Sequence, residues 1–155
     1  MTGVERGRAS EPVERQGPYD VLVSYAAGDA EAAALLAGQL YKADLDAFLV
    51  CWVEPGLIPL LETERALAEV RLAVLLFGRG TMADERVRDE YAVLLHRKHQ
   101  GGLRFVPGLV TDDPLPPFAA IHQPVDLTRP GSPRYDRDVD SLVRVVRALR
   151  RTDGA

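Results

Sequence analysis

Glu90 lies in "RVRDEYAVLL" (residues 86–95), three positions after Val87 and four before Leu94. Helical spacing puts all three on one side, so a carboxylate stands on the flank of an apolar stripe. Two readings are open. Asp84, Glu85, Asp89 and Glu90 all fall in the first half of this helix, where negative charge is favoured by up to about 1 kcal/mol. Glu90 would then be a helix-edge acid like its neighbours. Against that, Asp89 points toward water while Glu90 shares the Val87–Leu94 side, which suits a carboxylate held for chemistry.

Other reactive residue types fit their patterns less well. Ser24 ends a strand-like run, but nothing in the sequence nominates a histidine base for it. His96 and His99 share a helix face near a C-terminus, where imidazoles suit the dipole; no Cys or acid partner is fixed by spacing, so no metal is expected. "SYAAGDA" offers only Gly28, without G-x-G-x-x-G or a P-loop lysine, so a Gly-rich phosphate cradle finds little support. A phosphoacceptor domain would need an Asp ending the third strand and a late lysine. The third strand ends in Phe77-Gly78 and no lysine follows Lys98, which excludes it.

The elements that must position Glu90 alternate. "YDVLVSY" (19–25) reads as a buried strand, and Asp29 is placed to cap the helix after it. That helix carries Ala33, Leu36, Leu40 and Tyr41 on an apolar face. "DAFLVC" (46–51) is a second strand, followed by the turn-rich loop "WVEPGLIP" and a short helix with Leu61, Ala66 and Leu67 facing inward. "RLAVLLF" (71–77) is apolar at nearly every position, as strands buried on both faces of parallel sheets are. The Glu90 helix runs from about 84 to 98. "LRFVPGLV" (103–110) is a fourth strand interrupted by Pro107, and "QPVDL" a short fifth that Pro124 marks as an edge. Val139, Leu142, Val143, Val146 and Leu149 give the last helix an amphipathic stripe.

Strands alternating with helices imply right-handed crossovers and a parallel sheet covered on both faces. Ligands bind such sheets beyond the carboxyl ends of the strands, so "SYAAGD", "CWVEPGLIP" and "GRGTMADER" are the loops that matter, and Glu90 lies just past the third. The second of these loops is crowded with apolar side chains. Either Trp52 and Ile58 fold back onto the sheet edge, or the loop is a contact surface for a second copy or a lid over a pocket.

Bulk properties narrow the classes. A chain of 155 residues with 46% hydrophobic content is one domain in size and can bury a core. The net charge of −4 argues against direct nucleic-acid binding through phosphate neutralisation. The single cysteine, Cys51, fits a reducing cytoplasm, and no run approaches the roughly 20 apolar residues that span a bilayer. The polar stretch 1–18 is expected to be a disordered leader without a secretion signal, residues 19–151 one domain, and 152–155 a frayed end. Lys42 and Lys98 are the only lysines among 19 basic residues, and the Arg and Ala bias hints at a GC-rich bacterial genome.

"YDVLVSYAAGDAEAAALLAGQL", "AFLVCWVEPG", "ERALAEVRLAVLLFGRGT", "RFVPGLVTDDPLPPF" and "QPVDL", in that order, resemble a bacterial-type Toll/interleukin-1 receptor (TIR) domain from about residue 19 to 151. The resemblance implies an α/β, flavodoxin-like three-layer fold with a five-stranded parallel sheet. Some TIR domains recruit other TIR domains as scaffolds. Others, including bacterial immune effectors, cleave NAD+ into nicotinamide and linear or cyclised ADP-ribose, using a glutamate of a Trp-x-x-x-Glu motif on the third helix. That glutamate falls on Glu90, with Arg86 at the tryptophan's position. This chain also has Ala26 where many members have Arg, and Val50 where an Asp often ends the second strand. The resemblance further implies a pocket lined by Ser24, Tyr25, Trp52, Pro55, Gly56 and Arg86, with NAD+ as substrate and no metal or organic cofactor. Expected partners are other TIR domains, met through the 52–61 loop, and a separate sensor or activator protein.

Overall fold

The computed structural model describes residues 19–154; the leader expected over 1–18 lies outside them. Ten elements alternate: β1 (Val21–Ser24), α1 (Ala30–Lys42), β2 (Ala47–Phe48), α2 (Pro59–Glu69), β3 (Leu72–Phe77), α3 (Glu85–His99), β4 (Arg104–Leu109), α4 (Pro117–Ala120), β5 (Val125–Asp126) and α5 (Pro133–Gly154). The five strands form one sheet in the order β2-β1-β3-β4-β5, every pair parallel. This is the expected three-layer architecture, with β5 on the edge that Pro124 marked.

Side-chain alternation along the central strands divides the core in two. Val21, Val23, Leu72, Val74 and Leu76 pack against α1 and α5 on one face. Leu22, Ala73, Leu75 and Phe77 pack against α2, α3 and Ala119 of α4 on the other. All six residues of β3 are buried, which is why that segment carries no polar alternation. The α5 stripe lies on the first core through Val139, Leu142, Val143 and Val146, with Leu149 partly covered.

Four local expectations change. β2 is two residues long, and Val50–Trp52 form a 3-10 turn where strand was expected. β4 runs straight through Pro107. The N–H groups of Arg104 and Val110 donate to carbonyls of Arg71 and Phe77, so parity turns the Pro107 nitrogen toward β5. β5 pairs only from Gly108 onward, and the missing donor leaves no gap in the ladder. Tyr41 and Leu61, expected inward, are exposed, and Thr63 takes the inward place on α2 beside Ala66 and Leu67. Asp29 precedes α1 without a side-chain cap bond; burial raises its pKa, and the neighbouring Thr81 side chain opposes that rise.

The loop after β2 resolves its two alternatives unequally. Trp52 folds back and packs partly on the core. Pro55 and Gly56 form a turn closed by Leu57 N–H donating to Glu54 O at 3.1 Å. Gly56 has φ 91°, and Pro followed by a positive-φ Gly at the two central positions is the type II pattern. Beyond the turn Leu57, Ile58, Leu60 and Leu61 point outward, Leu60 with 71% of its surface exposed.

Candidate active site

Asp84 caps α3 by accepting the Val87 N–H at 3.2 Å, and Glu85 and Asp89 face solvent. Glu90 does not share that surface: it is 6% exposed and buried on the side of Val87 and Leu94. The helix-edge reading therefore holds for its neighbours and fails for Glu90. A buried carboxylate needs donors, and it has two. The Ser24 hydroxyl donates to Glu90 Oε1 at 2.5 Å, and Arg86 Nη1 donates to Oε2 at 2.8 Å. Arg86 Nη2 also donates to the Tyr25 carbonyl at 2.8 Å. The start of α3 is thus tied to the carboxyl end of β1.

Arg86 is poorly placed for helix stability. A cation in the first turn opposes the helix dipole by about 0.3–1 kcal/mol. Arginine four residues before glutamate is also the less favourable order of such a pair. Its bonds to Glu90 and Tyr25, rather than helix propensity, account for its conformation.

Tyr25 is buried just past the end of β1, and burial raises its phenol pKa. That hydroxyl accepts the Cys51 N–H at 3.2 Å, joining β1 to the turn after β2. After β3, Thr81 Oγ1 donates to Leu76 O at 3.0 Å and accepts the Gly78 N–H at 2.7 Å, fixing the loop that leads into α3.

A cleft of about 600 Å³ opens between α2 and α3, and Arg86 and Glu90 form part of its wall. Leu60, Leu67 and Val93 supply apolar surface there, while Glu64, Glu85 and Asp89 add carboxylates. Thr63 and Arg97 also line it, and residue patterns had not nominated either. Thr63 is buried, and its hydroxyl has no hydrogen-bond partner among the described residues. The available signal was its place on the inward face of α2, three residues before Ala66. Arg97 donates to the carbonyls of Leu67 and Val70, both at 2.7 Å, and of Gly102 at 2.9 Å. It joins the ends of α2 and α3, and burial lowers its pKa.

Ser24, Tyr25, Arg86 and Glu90 therefore converge, Tyr25 through its carbonyl. Trp52 lines a separate cavity of about 50 Å³ with Tyr19, Phe48 and Leu49. Pro55 and Gly56 shape the exposed turn that precedes α2. Near the end of α3, His99 packs edge-on against Phe118 at 6.2 Å between ring centres. Among the described residues, no group of three or more His, Cys, Asp or Glu is arranged to hold a metal ion.

The family profile for the TIR domain matches residues 21–143. No curated protein sequence matches the chain. Among solved structures, the TIR domain of the Toll-related receptor TRR-2 from Hydra magnipapillata is similar, with a TM-score of 0.66 at 18% identity, over 81% of this chain and 98% of that one. The TIR domains of the activated Roq1 resistosome, which recognises the pathogen effector XopQ, give 0.62 at 16% identity over 83% and 99%. A metazoan TIR-STING receptor from C. gigas gives 0.61 at 17% identity, over 87% of this chain and 42% of that receptor. These likenesses agree with the strand order and layers described above, and the profile spans most of the folded chain. The protein belongs to the TIR-domain family.

Proposed function

We propose that this TIR domain is an NAD+ glycohydrolase or cyclase that acts when copies assemble, with Glu90 as its catalytic carboxylate. The observation that carries the reading is a buried carboxylate in the wall of a cleft of about 600 Å³, beside the carboxyl end of a parallel strand. In the reaction the bond between ribose C1′ and the nicotinamide nitrogen breaks, and its electron pair leaves with the ring. The ribose gains oxocarbenium character, as in glycoside cleavage. Glu90 would accept hydrogen bonds from the ribose hydroxyls and stabilise that cation, an effect that low local polarity strengthens. Water then adds to C1′ and loses a proton, or the adenine end of the same molecule closes a ring. Ser24 is a positioning residue, since its hydroxyl orients Oε1.

Within this reading the domain serves bacterial immune signalling in the cytoplasm, switched on by a separate sensor. The exposed Leu57, Ile58, Leu60 and Leu61 support docking to other TIR domains through the 52–61 loop. They also favour a second reading, a non-catalytic interaction module.

Nicotinamide release from NAD+, measured on dilute protein and on protein clustered on a support, separates the two. Cleavage predicts turnover that Glu90→Gln lowers at least about 100-fold, the scale of losing one electrostatic stabiliser, with circular dichroism unchanged. If neither preparation releases nicotinamide, the docking module stands alone.

A further inference from the structure

We infer that Arg86 is a latch on the Glu90 carboxylate, and that its release converts the α2–α3 cleft into a site for a cationic aromatic ring. The inference rests on Glu90 being the carboxylate that meets the ligand.

Both Glu90 oxygens are occupied in the resting domain, Oε1 by Ser24 and Oε2 by Arg86. The two donors differ in mobility. Ser24 is buried at the end of a central strand, so its hydroxyl has no solvent to turn to if it leaves Glu90. The Arg86 side chain is 38% exposed against 7% for Glu90, and it reaches Glu90 from one helical turn earlier on α3. Rotation about its own side-chain bonds would free Oε2 and leave the backbone in place. What holds it is a two-point grip, Glu90 Oε2 on one nitrogen and the Tyr25 carbonyl on the other.

Charge gives the ligand class. The cleft wall carries Glu64, Glu85, Asp89 and Glu90 against two guanidinium groups, Arg86 and Arg97. Arg97 is committed to the carbonyls of Leu67, Val70 and Gly102. Arg86 is thus the movable positive charge in an otherwise electronegative cleft. While latched, it competes for Glu90 and repels a second cation. Once it swings out, Leu60, Leu67 and Val93 offer apolar surface and the carboxylates offer charge, a combination suited to a pyridinium ring.

The test uses 1-methylnicotinamide as the cationic probe and nicotinamide as its neutral counterpart. Binding is followed by methyl NMR of Leu60, Leu67 and Val93 in the wild-type chain, Arg86→Ala, Arg86→Lys and Arg86→Ala/Glu90→Gln. The latch predicts at least about tenfold tighter binding of the cation to Arg86→Ala, with the neutral ring little changed. Arg86→Lys should stay near wild type, and the double variant should lose the gain. Equal or weaker cation binding by a folded Arg86→Ala overturns the latch, as does an equal gain for the neutral ring, which would report freed space alone. Nicotinamide release from NAD+ is measured on the same proteins. Absence of turnover in all of them, with the cation gain intact, would remove the cleavage reading and leave the latch standing.

Discussion

The contact between Ser24 and Glu90 is the smallest unit on which the site depends. A hydrogen bond to a charged acceptor contributes about 1.5–3 kcal/mol when its loss strands the buried partner. Ser24→Ala should therefore lower unfolding free energy by about that range, read from urea titration, and reduce nicotinamide release as well. A change below about 0.5 kcal/mol would mean that Glu90 finds another donor. Part of this was legible from residue order alone. Helical spacing put Glu90 on the Val87–Leu94 side and Arg86 one turn before it. Ser24 lies 66 positions away, and no periodicity relates the two.

At the scale of elements, Gly108 in β4 shows how tightly the first core is closed. A methyl group there would lie 2.8 Å from Leu76 Cδ2 and 3.2 Å from both Leu127 Cδ1 and Val74 Cγ1. Gly108→Ala should destabilise the chain by about 1–3 kcal/mol through overpacking, seen as a lower thermal midpoint. β5 and α5 are joined by Asp126 N–H donating to Asp138 at 2.7 Å, and the Asp126 carboxylate accepts the Thr128 hydroxyl at 2.6 Å and its N–H at 3.0 Å. Those bonds, the hydroxyl's first, hold the Asp126 pKa below its ordinary value, with Arg134 and Arg129 adding to the effect. A depressed carboxyl stabilises the fold above its unfolded pKa of about 3.9. That contribution is lost as pH falls through the folded value. Asp126→Asn should accordingly flatten the acid limb of stability against pH, and an unchanged limb would contradict the assignment. β3 was readable because every position is buried. β2 was overextended because apolar Leu49 and Val50 continue its pattern into the 3-10 turn.

For the whole molecule, the apolar side chains left in solvent matter most. Leu57, Ile58, Leu60 and Leu61 cluster where the type II turn delivers the chain into α2. Leu60→Asp should weaken self-association in sedimentation at high concentration and leave the melting temperature nearly unchanged, since Leu60 contributes little to either core. Association as strong as wild type would move the docking surface elsewhere. The stretch was visibly apolar in the sequence, yet its direction was not. Trp52 and Ile58 were expected to turn inward together, and only Trp52 packs on the core while Ile58 stays exposed.

Local order determined the alternation of strands and helices, the buried character of β3, the α5 stripe and the side of α3 on which Glu90 stands, because periodicity and burial are properties of neighbouring residues. Only tertiary packing brought α3 over the end of β1, set Ser24 and Arg86 on opposite oxygens of one carboxylate, and opened the α2–α3 cleft beside them. The Ser24–Glu90 and Arg86–Tyr25 contacts join residues 66 and 61 positions apart, whereas the Arg86–Glu90 pair lies within one helix. Their geometry is set by how helices settle on a shared sheet, which no single segment encodes.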